Sequence, residues 1–191
     1  MSRLATNRPT DEELARLVAA GQVEAFAQLY ARYYARAYRL AWAMTGRRDA
    51  AEELTQEIFL RAWQKAGQFR GESSFGMWFY RLAARCCLNF RKRLPAREHE
   101  SLDAVEQAPQ TDAMKQIEAN VRRQEIQGEV QRALLSLKPK WRLIVILKDI
   151  EGLSYEEIAE RMNCSTGAVA SRLNRSRALL ARKLEHLRGQ V

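Results

Sequence analysis

Apolar residues recur every three or four positions along most of the chain, the spacing that places them on one face of an α-helix. A capping box at Thr10 and Glu13, in which each side chain can bond the other residue's backbone amide, predicts the start of the first helix. A longer helix is predicted over residues 23–45, and Gly46 ends it because glycine readily adopts the left-handed backbone of a helix C-cap. A third helix is predicted to start at Asp49.

The periodicity breaks at residues 67–76, where three glycines predict a loop, and it then returns in a fourth helix. It fades again after this helix, in a stretch that is mainly acidic. We interpret residues 96–118 as a flexible acidic linker. Helical spacing resumes beyond it. The pattern therefore predicts an all-α protein with two small helical domains, at residues 1–95 and 119–191, joined by this linker.

The sharpest local pattern lies in the second of these domains. A second capping box, at Ser154 and Glu157, predicts a short helix. Asn163 follows, and asparagine tolerates the left-handed backbone of a tight turn better than other non-glycine residues. A longer helix is predicted from Thr166, and the small side chain of Ala159 would let the two helices cross closely. A short helix, a tight turn and a longer helix form the geometry of a helix-turn-helix.

The outward face of the longer helix suits double-stranded DNA, because a helix fits the major groove and arginine can donate two hydrogen bonds to a guanine edge. The outward positions hold Ser165, Thr166, Ala168, Ser171, Arg172, Asn174 and Arg175, followed by Arg177. The alternative is a solvated basic face without a partner. Agreement between the helix-turn-helix pattern and the net charge favours DNA.

Composition narrows the class of protein. Among 191 residues, 47% are hydrophobic, which is enough to form a core, while only 9 Gly and 4 Pro argue against a turn-rich β fold. The 32 basic and 23 acidic residues give a net charge of +9, which favours a polyanionic partner such as nucleic acid. We find no apolar run long enough to predict a transmembrane helix and no pattern typical of a signal peptide, so we expect a soluble intracellular protein.

The cysteines and histidines predict no disulfide scaffold and no metal site. Cys86 and Cys87 are adjacent, and adjacent cysteines rarely form a disulfide with each other. Cys164 lies at the turn of the predicted helix-turn-helix, a position that is usually buried. Buried thiols are therefore favoured over a redox switch. His99 and His186 are far apart in the sequence. We find no paired catalytic motif and no glycine-rich phosphate loop. The sequence therefore predicts no cofactor and disfavours an enzyme.

Two separated blocks resemble conserved regions of the bacterial sigma-70 family. Residues 49–63, extended by 69–75 and 78–83, resemble region 2, and residues 152–159 with 167–173 resemble region 4. A chain with only these two regions and a short linker resembles the extracytoplasmic function (ECF) group. The resemblance covers nearly the whole chain apart from the linker and the ends. It implies an alternative sigma factor, not an enzyme, that binds core RNA polymerase and directs promoter-specific initiation in a stress or envelope response.

The resemblance implies that the first block docks on a coiled coil of the largest polymerase subunit, and that the second domain meets the beta flap. The docking face would consist of Asp49, Glu52, Glu53, Gln56 and Glu57. A simpler interpretation is that acids in a first helical turn complement the helix dipole. That interpretation suits Asp49 and Glu52 but not Gln56 and Glu57, which lie beyond the first turn.

The resemblance also implies that the glycine-broken loop and the next helix read the −10 promoter element as a single strand, with one base entering a pocket. The pocket would be lined by Lys65, Phe69, Leu82 and Arg85, with Asn89 nearby. Phosphates would be met by Arg81, Arg91, Lys92 and Arg93. Well-studied members have Asn where Arg85 stands, and because arginine only donates hydrogen bonds, the preferred base stays open. Trp78 and Phe79 have helical spacing and are interpreted as core residues.

The helix-turn-helix would read the −35 element as a duplex. The residues implied are Ser171, Arg172 and Arg175 on bases, with Thr166, Arg177 and Lys140 on the backbone. Family members often carry Lys or Arg where this chain has Ala170, so one contact is expected to be missing.

ECF sigma factors are commonly held inactive by an anti-sigma factor, often one anchored in the membrane. The resemblance therefore implies a cytoplasmic protein, monomeric or heterodimeric with an anti-sigma factor that could hold it at the inner membrane. For the acidic linker, mimicry of nucleic acid inside the polymerase and a simple solvated tether both stay open. The rival function is a helix-turn-helix repressor or response-regulator output domain, but it would not explain the acidic helix in the first domain.

Overall fold

A computed structural model describes the backbone of residues 8–93 and 117–187, and the side chains of residues 8–90 and 124–187. Within these ranges the chain is helical and contains no β-strand, which confirms the predicted all-α class. All but the last two residues of the predicted linker, 96–118, lie outside the described part.

The first domain contains four α-helices: α1 Asp11–Ala19, α2 Val23–Thr45, α3 Arg48–Lys65 and α4 Phe75–Arg93. The capping box at Thr10 is confirmed, and Gly46 caps α2 with φ of 72°. The loop after α3 is shorter than predicted. A 3₁₀ turn follows α3 directly, and α4 starts at Phe75 because the Ser74 hydroxyl accepts a hydrogen bond from the Met77 amide at 3.2 Å.

Aromatic rings form much of the core of the first domain. The ring of Phe79 is fully buried and lies 4.9 Å from the ring of Tyr33 and 5.4 Å from that of Phe59, centroid to centroid. Phe79 is therefore a core residue, as predicted. The short helix α1 is linked to the first residue of α4 by a hydrogen bond, in which Glu12 Oε1 accepts from the Phe75 amide at 2.9 Å.

The second domain contains α5 Ile117–Leu135, α6 Pro139–Val145, α7 Tyr155–Met162 and α8 Thr166–Lys183. A π-helical turn, Ile146–Ile150, continues α6, and a 3₁₀ turn follows α8. Helices α7 and α8 form the predicted helix-turn-helix, with Asn163 at φ of 49° in the turn. Ile158 and Val169 are fully buried between the two helices.

The two domains pack against each other, with α2 against α5 and with α4 against α6 and α7. The centre of this contact is Arg142, a fully buried arginine (0% exposed) that the sequence analysis did not single out. Its Nη1 donates to the Met44 carbonyl of the first domain at 2.6 Å, and its Nε donates to the Leu134 carbonyl at 2.8 Å. These carbonyls lie in the last turns of α2 and α5, where the helix dipole is negative, so they suit a buried cation.

Candidate nucleic-acid interface

Four of the five predicted polymerase-facing residues lie on one face of α3. Glu53 and Gln56 are exposed, Glu52 is half-exposed, and Asp49 is open to solvent at the start of the helix. The Arg47 side chain donates a hydrogen bond to Asp49 and, together with the Ala50 amide, lowers the pKa of that carboxyl group. The Asp49 carboxylate is therefore ionised at neutral pH, and Glu52 likewise pairs with Arg48, whose Nε lies 2.9 Å from Oε1, so the unpaired charge of this face comes mainly from Glu53.

Glu57 is placed differently from the other four. Its side chain is only 15% exposed, and Oε1 accepts a hydrogen bond from Nε of Arg61 at 2.8 Å. The position one turn beyond Gln56 is Leu60, whose side chain is 57% exposed. Leu60 was not among the predicted docking residues, although its place four residues after Gln56 on the same helix face was a usable signal.

Five of the predicted −10 residues line a cavity of about 500 Å³ between the loop after α3, the face of α4 and the helix-turn-helix. Lys65, Phe69, Leu82 and Arg85 all line it. The ring of Phe69 is held edge-on to Trp78, with centroids 5.9 Å apart. Trp78 is half-buried and lines the same cavity, so it is not purely the core residue predicted.

Positive charge dominates the wall of this cavity. Besides the predicted Lys65, Arg81 and Arg85, the lining includes Arg61 and Arg70, which the sequence analysis did not select. The charged lining is completed by Glu72 of the loop before α4 and by Glu160 and Arg161 of α7. A positive, partly aromatic cavity is suited to a nucleotide, because the charges attract phosphate and the rings can stack on a base.

The remaining predicted −10 residues extend along α4 beyond the cavity. Asn89 is exposed but does not belong to the cavity lining. The side chains of Arg91, Lys92 and Arg93 lie outside the described part, so their predicted phosphate contacts stay predictions.

The predicted −35 residues lie on and beside α8. Thr166, Ser171 and Arg175 are exposed, Arg172 is half-buried, and Lys140 is exposed on α6. The Ser165 hydroxyl caps α8 by accepting a hydrogen bond from the Ala168 amide at 3.2 Å. The outer face of this helix is thus open to a partner.

Arg177 differs from the other −35 candidates because it pairs with a carboxylate. Its Nε donates to Oδ2 of Asp149 at 3.3 Å, and this hydrogen bond raises the pKa of the Arg177 guanidinium. A phosphate contact by Arg177 would have to compete with Asp149. The pairing could not be read from the sequence, because the two residues are 28 positions apart.

Other kinds of site are not seen in the described residues. No group of three or more potential metal ligands occurs within them. None of the helices over these residues is long and apolar enough to cross a membrane.

Comparison with known proteins gives two matches to family models, one in each domain. Residues 29–96 match sigma-70 region 2, and residues 127–180 match sigma-70 region 4. The chain is 32% identical to the RNA polymerase sigma-H factor of Pseudomonas aeruginosa, over 93% of this chain and 95% of that protein. It is also 32% identical to the ECF RNA polymerase sigma-E factor of Escherichia coli K12, over 93% and 96% of the two chains.

Two solved structures share the fold. CnrH, in complex with the cytosolic domain of CnrY, aligns with a TM-score of 0.65 and 25% identity, over 92% of this chain and 97% of CnrH. The sigma factor RpoE from Bartonella quintana, in complex with the anti-sigma factor NepR, aligns with a TM-score of 0.62 and 24% identity, over 84% and 96%. The similarity to CnrH extends over both domains.

Proposed function

This chain belongs to the extracytoplasmic function group of the bacterial sigma-70 family, and we propose that it directs core RNA polymerase to promoters with separate surfaces for polymerase and for DNA. As a member of that family it is a transcription initiation factor and not an enzyme. The observation that carries the proposal is the cavity where Lys65, Phe69 and Arg85 meet. We assign residues 1–95 to polymerase docking and the −10 element, and residues 119–191 to the −35 element.

The proposed polymerase-docking surface is the face of α3 formed by Asp49, Glu52, Glu53 and Gln56, and it would bind a basic coiled coil of the largest subunit. Glu57 supports this face by holding Arg61. Changing the exposed Glu53 to arginine should weaken binding to core polymerase at least tenfold, because it places a cation in an anionic face. Glu24→Arg, the same charge change at an exposed site on α2, is the matched control and should bind as the wild type does.

The proposed −10 site is the cavity, and a base from the melted strand would enter it while basic residues hold the flanking phosphates. Arg85 is exposed at the lining and can only donate hydrogen bonds. It therefore favours a base edge with two neighbouring acceptors, as N7 and O6 of guanine are. Single-stranded probes that differ at one base should bind with a different rank order when Arg85 is changed to asparagine. An unchanged order would remove Arg85 from base selection.

The proposed −35 site is the outer face of α8, with Ser171, Arg172 and Arg175 towards the bases. Arg175→Ala should cost about 1–3 kcal/mol on the preferred duplex if this arginine reads a base. An equal loss on all duplexes would identify Arg175 as a phosphate contact. We propose that another surface of this domain, away from the face that binds DNA, contacts the beta flap of polymerase.

The proposal as a whole is tested by run-off transcription on fragmented genomic DNA with bacterial core polymerase. Discrete start sites that require both the polymerase and this protein are the expected result. Sequence-specific binding to a duplex without polymerase-dependent transcripts would instead support the rival repressor function.

Regulation is proposed from the relatives, since CnrH and the B. quintana sigma factor were solved with CnrY and with the anti-sigma factor NepR. We propose that an anti-sigma factor binds this chain in the cytoplasm, forming a heterodimer, and that a membrane-anchored inhibitor would hold it at the inner membrane. Replacing the acidic linker by a neutral Gly/Ser segment of equal length separates the two linker hypotheses. Intact polymerase binding with impaired initiation would support nucleic-acid mimicry, whereas intact initiation would support a simple tether.

A further inference from the structure

We propose that the cavity between the two domains binds a free nucleoside polyphosphate, with its phosphates held by Arg81 of the first domain and Arg161 of the second. The inference goes beyond the proposed function, which gives this cavity only a base of promoter DNA. It does not rest on that role, because it needs only the cavity and the residues that line it.

The charges of the cavity wall are unbalanced. Only two acidic residues line the cavity, Glu72 and Glu160, against six basic ones. The basic residues are Arg61, Lys65, Arg70, Arg81, Arg85 and Arg161. A concave site with an excess of positive charge attracts an anion that carries several charges.

Arg161 points to an anion most directly. Its side chain is only 4% exposed, and its Nε and Nη1 are buried without a hydrogen-bond partner among the described residues. Its Nη2 lies 3.7 Å from Oε1 of Glu157, which is too far for a hydrogen bond. Burial lowers the pKa of this guanidinium, because the interior desolvates its charge. Unpaired buried donors cost free energy, and an anion in the cavity that Arg161 lines would offset that cost.

The surroundings of Arg161 hold its guanidinium in place. It lies over the Tyr80 ring, 5.7 Å from the centroid, and the Tyr80 hydroxyl donates to Oε2 of Glu151 at 2.6 Å. The Glu151 side chain is itself only 5% exposed. An arginine that is already positioned loses little side-chain entropy when it binds a phosphate.

Arg81 supplies the phosphate contact from the first domain. Its Nη2 donates to the Ser73 hydroxyl at 2.7 Å, and its Nε is buried without a partner among the described residues. Its Nη1 lies 3.3 Å from Oε1 of Glu160, whose side chain is 48% exposed. Because Glu160 can turn to solvent, a phosphate can replace it and accept two hydrogen bonds from the arginine fork.

The rest of the cavity suits the base and sugar of a nucleotide. The rings of Phe69 and Trp78 belong to the lining, and stacking on an aromatic ring stabilises any base. Arg85 lies four residues after Arg81 on α4, about 6 Å further along the helix, and its donors match N7 and O6 of guanine. A volume of about 500 Å³ falls within the range of small-ligand pockets. GTP is therefore the appropriate probe.

The experiment measures GTP binding to the full-length protein by isothermal titration calorimetry, without polymerase or DNA. Arg161→Met removes the buried cation, keeps most of its volume and changes none of the proposed DNA contacts. Arg182→Met is the matched control, because Arg182 is an exposed arginine of α8 outside the cavity lining. Glu160→Gln removes the carboxylate that competes for Arg81, so it tests the site by a gain of affinity.

We expect the wild type and Arg182→Met to bind one GTP per chain with equal affinity. Arg161→Met should bind about tenfold more weakly or worse, the effect of losing a charged hydrogen bond. Glu160→Gln should bind about threefold more tightly than the wild type, as removal of an exposed ion pair allows. Inorganic pyrophosphate should bind about tenfold more weakly than GTP, because it cannot also stack on the rings.

The inference is overturned if GTP does not bind, or if Arg161→Met binds it as Arg182→Met does, since binding would then reflect general attraction to a basic chain. If Arg161→Met does not fold, unchanged affinity in Glu160→Gln overturns the inference instead. Equal affinities for GTP and pyrophosphate would overturn the assignment to a nucleotide. The proposed function is separate from these outcomes, because run-off transcription that depends on a chain unable to bind GTP would leave it intact.

Discussion

Replacing Arg142 by methionine removes the buried cation at the centre of the domain contact while keeping most of its volume. The guanidinium donates to carbonyls of Met44, Leu134, Leu135 and Leu137, so four acceptors lose a charged donor. A hydrogen bond with one charged partner contributes roughly 1.5–3 kcal/mol, and carbonyls left in the interior add a desolvation cost. Because the bonds are not additive and some carbonyls will find water, we expect a total loss of about 3–5 kcal/mol in unfolding free energy.

Urea unfolding followed by far-ultraviolet circular dichroism measures this loss. In thermal unfolding it corresponds to a decrease of roughly 6–20 °C in Tm for a chain of this size. Arg142→Lys should fall between the wild type and Arg142→Met, because one ammonium group cannot reach carbonyls at both helix ends. Arg132→Met, at an exposed position of α5, is the control and should change stability by no more than about 0.5 kcal/mol. A loss below about 1 kcal/mol in Arg142→Met would refute the reasoning.

Three further predictions concern the backbone, the thiols and the tyrosines. Gly46→Ala should lower the free energy of unfolding by about 1–3 kcal/mol more than Gly21→Ala does. Both glycines have positive φ, but only at Gly46 would an added Cβ lie 2.4 Å from Leu135 Cδ1. Equal losses for the two variants in urea unfolding would contradict this prediction. Cys164 is half-buried and not fully buried as predicted, whereas Cys86 and Cys87 are buried and burial raises the pKa of the Cys87 thiol; Ellman's reagent at about pH 8 should therefore label Cys164 before denaturation and label Cys86 and Cys87 only after it. Burial also raises the pKa of Tyr33 and Tyr80. Their contribution to the free energy of unfolding should therefore be fully present below about pH 10 and decrease above it, as the tyrosines of the unfolded chain ionise. Tyr33→Phe should make that decrease shallower in urea unfolding measured between about pH 9 and 11.

Local rules predicted the local features of this protein. The capping boxes at Thr10 and Ser154, the end of α2 at Gly46 and the turn at Asn163 follow from side chains within four residues of one another, and the structure has all of them. The cavity residues Lys65, Phe69, Leu82 and Arg85 were named through the family resemblance, and the fold brings them together.

Contacts between distant segments could not be predicted in the same way. Arg142 and Met44 are 98 positions apart, and Tyr80 and Glu151 are 71 apart. Nothing in the pattern around Arg142 distinguishes it from an exposed arginine, because its acceptors are backbone carbonyls, which every residue has. Glu57 was open to a better prediction, since a glutamate four residues before Arg61 is a common helical ion pair.

Helix α1 can influence the loop beside the cavity although it does not line the cavity itself. The hydrogen bond from the Phe75 amide to Glu12 joins α1 to the first turn of α4, 63 positions away, where the cavity loop ends. The region 2 match begins at residue 29, so α1 lies ahead of it. Substitutions in α1 can therefore change the rigidity of the loop while the matched residues stay the same. No residue of α1 lines the cavity, so if the cavity is the −10 site proposed above, base preference there could evolve through a helix outside the site itself.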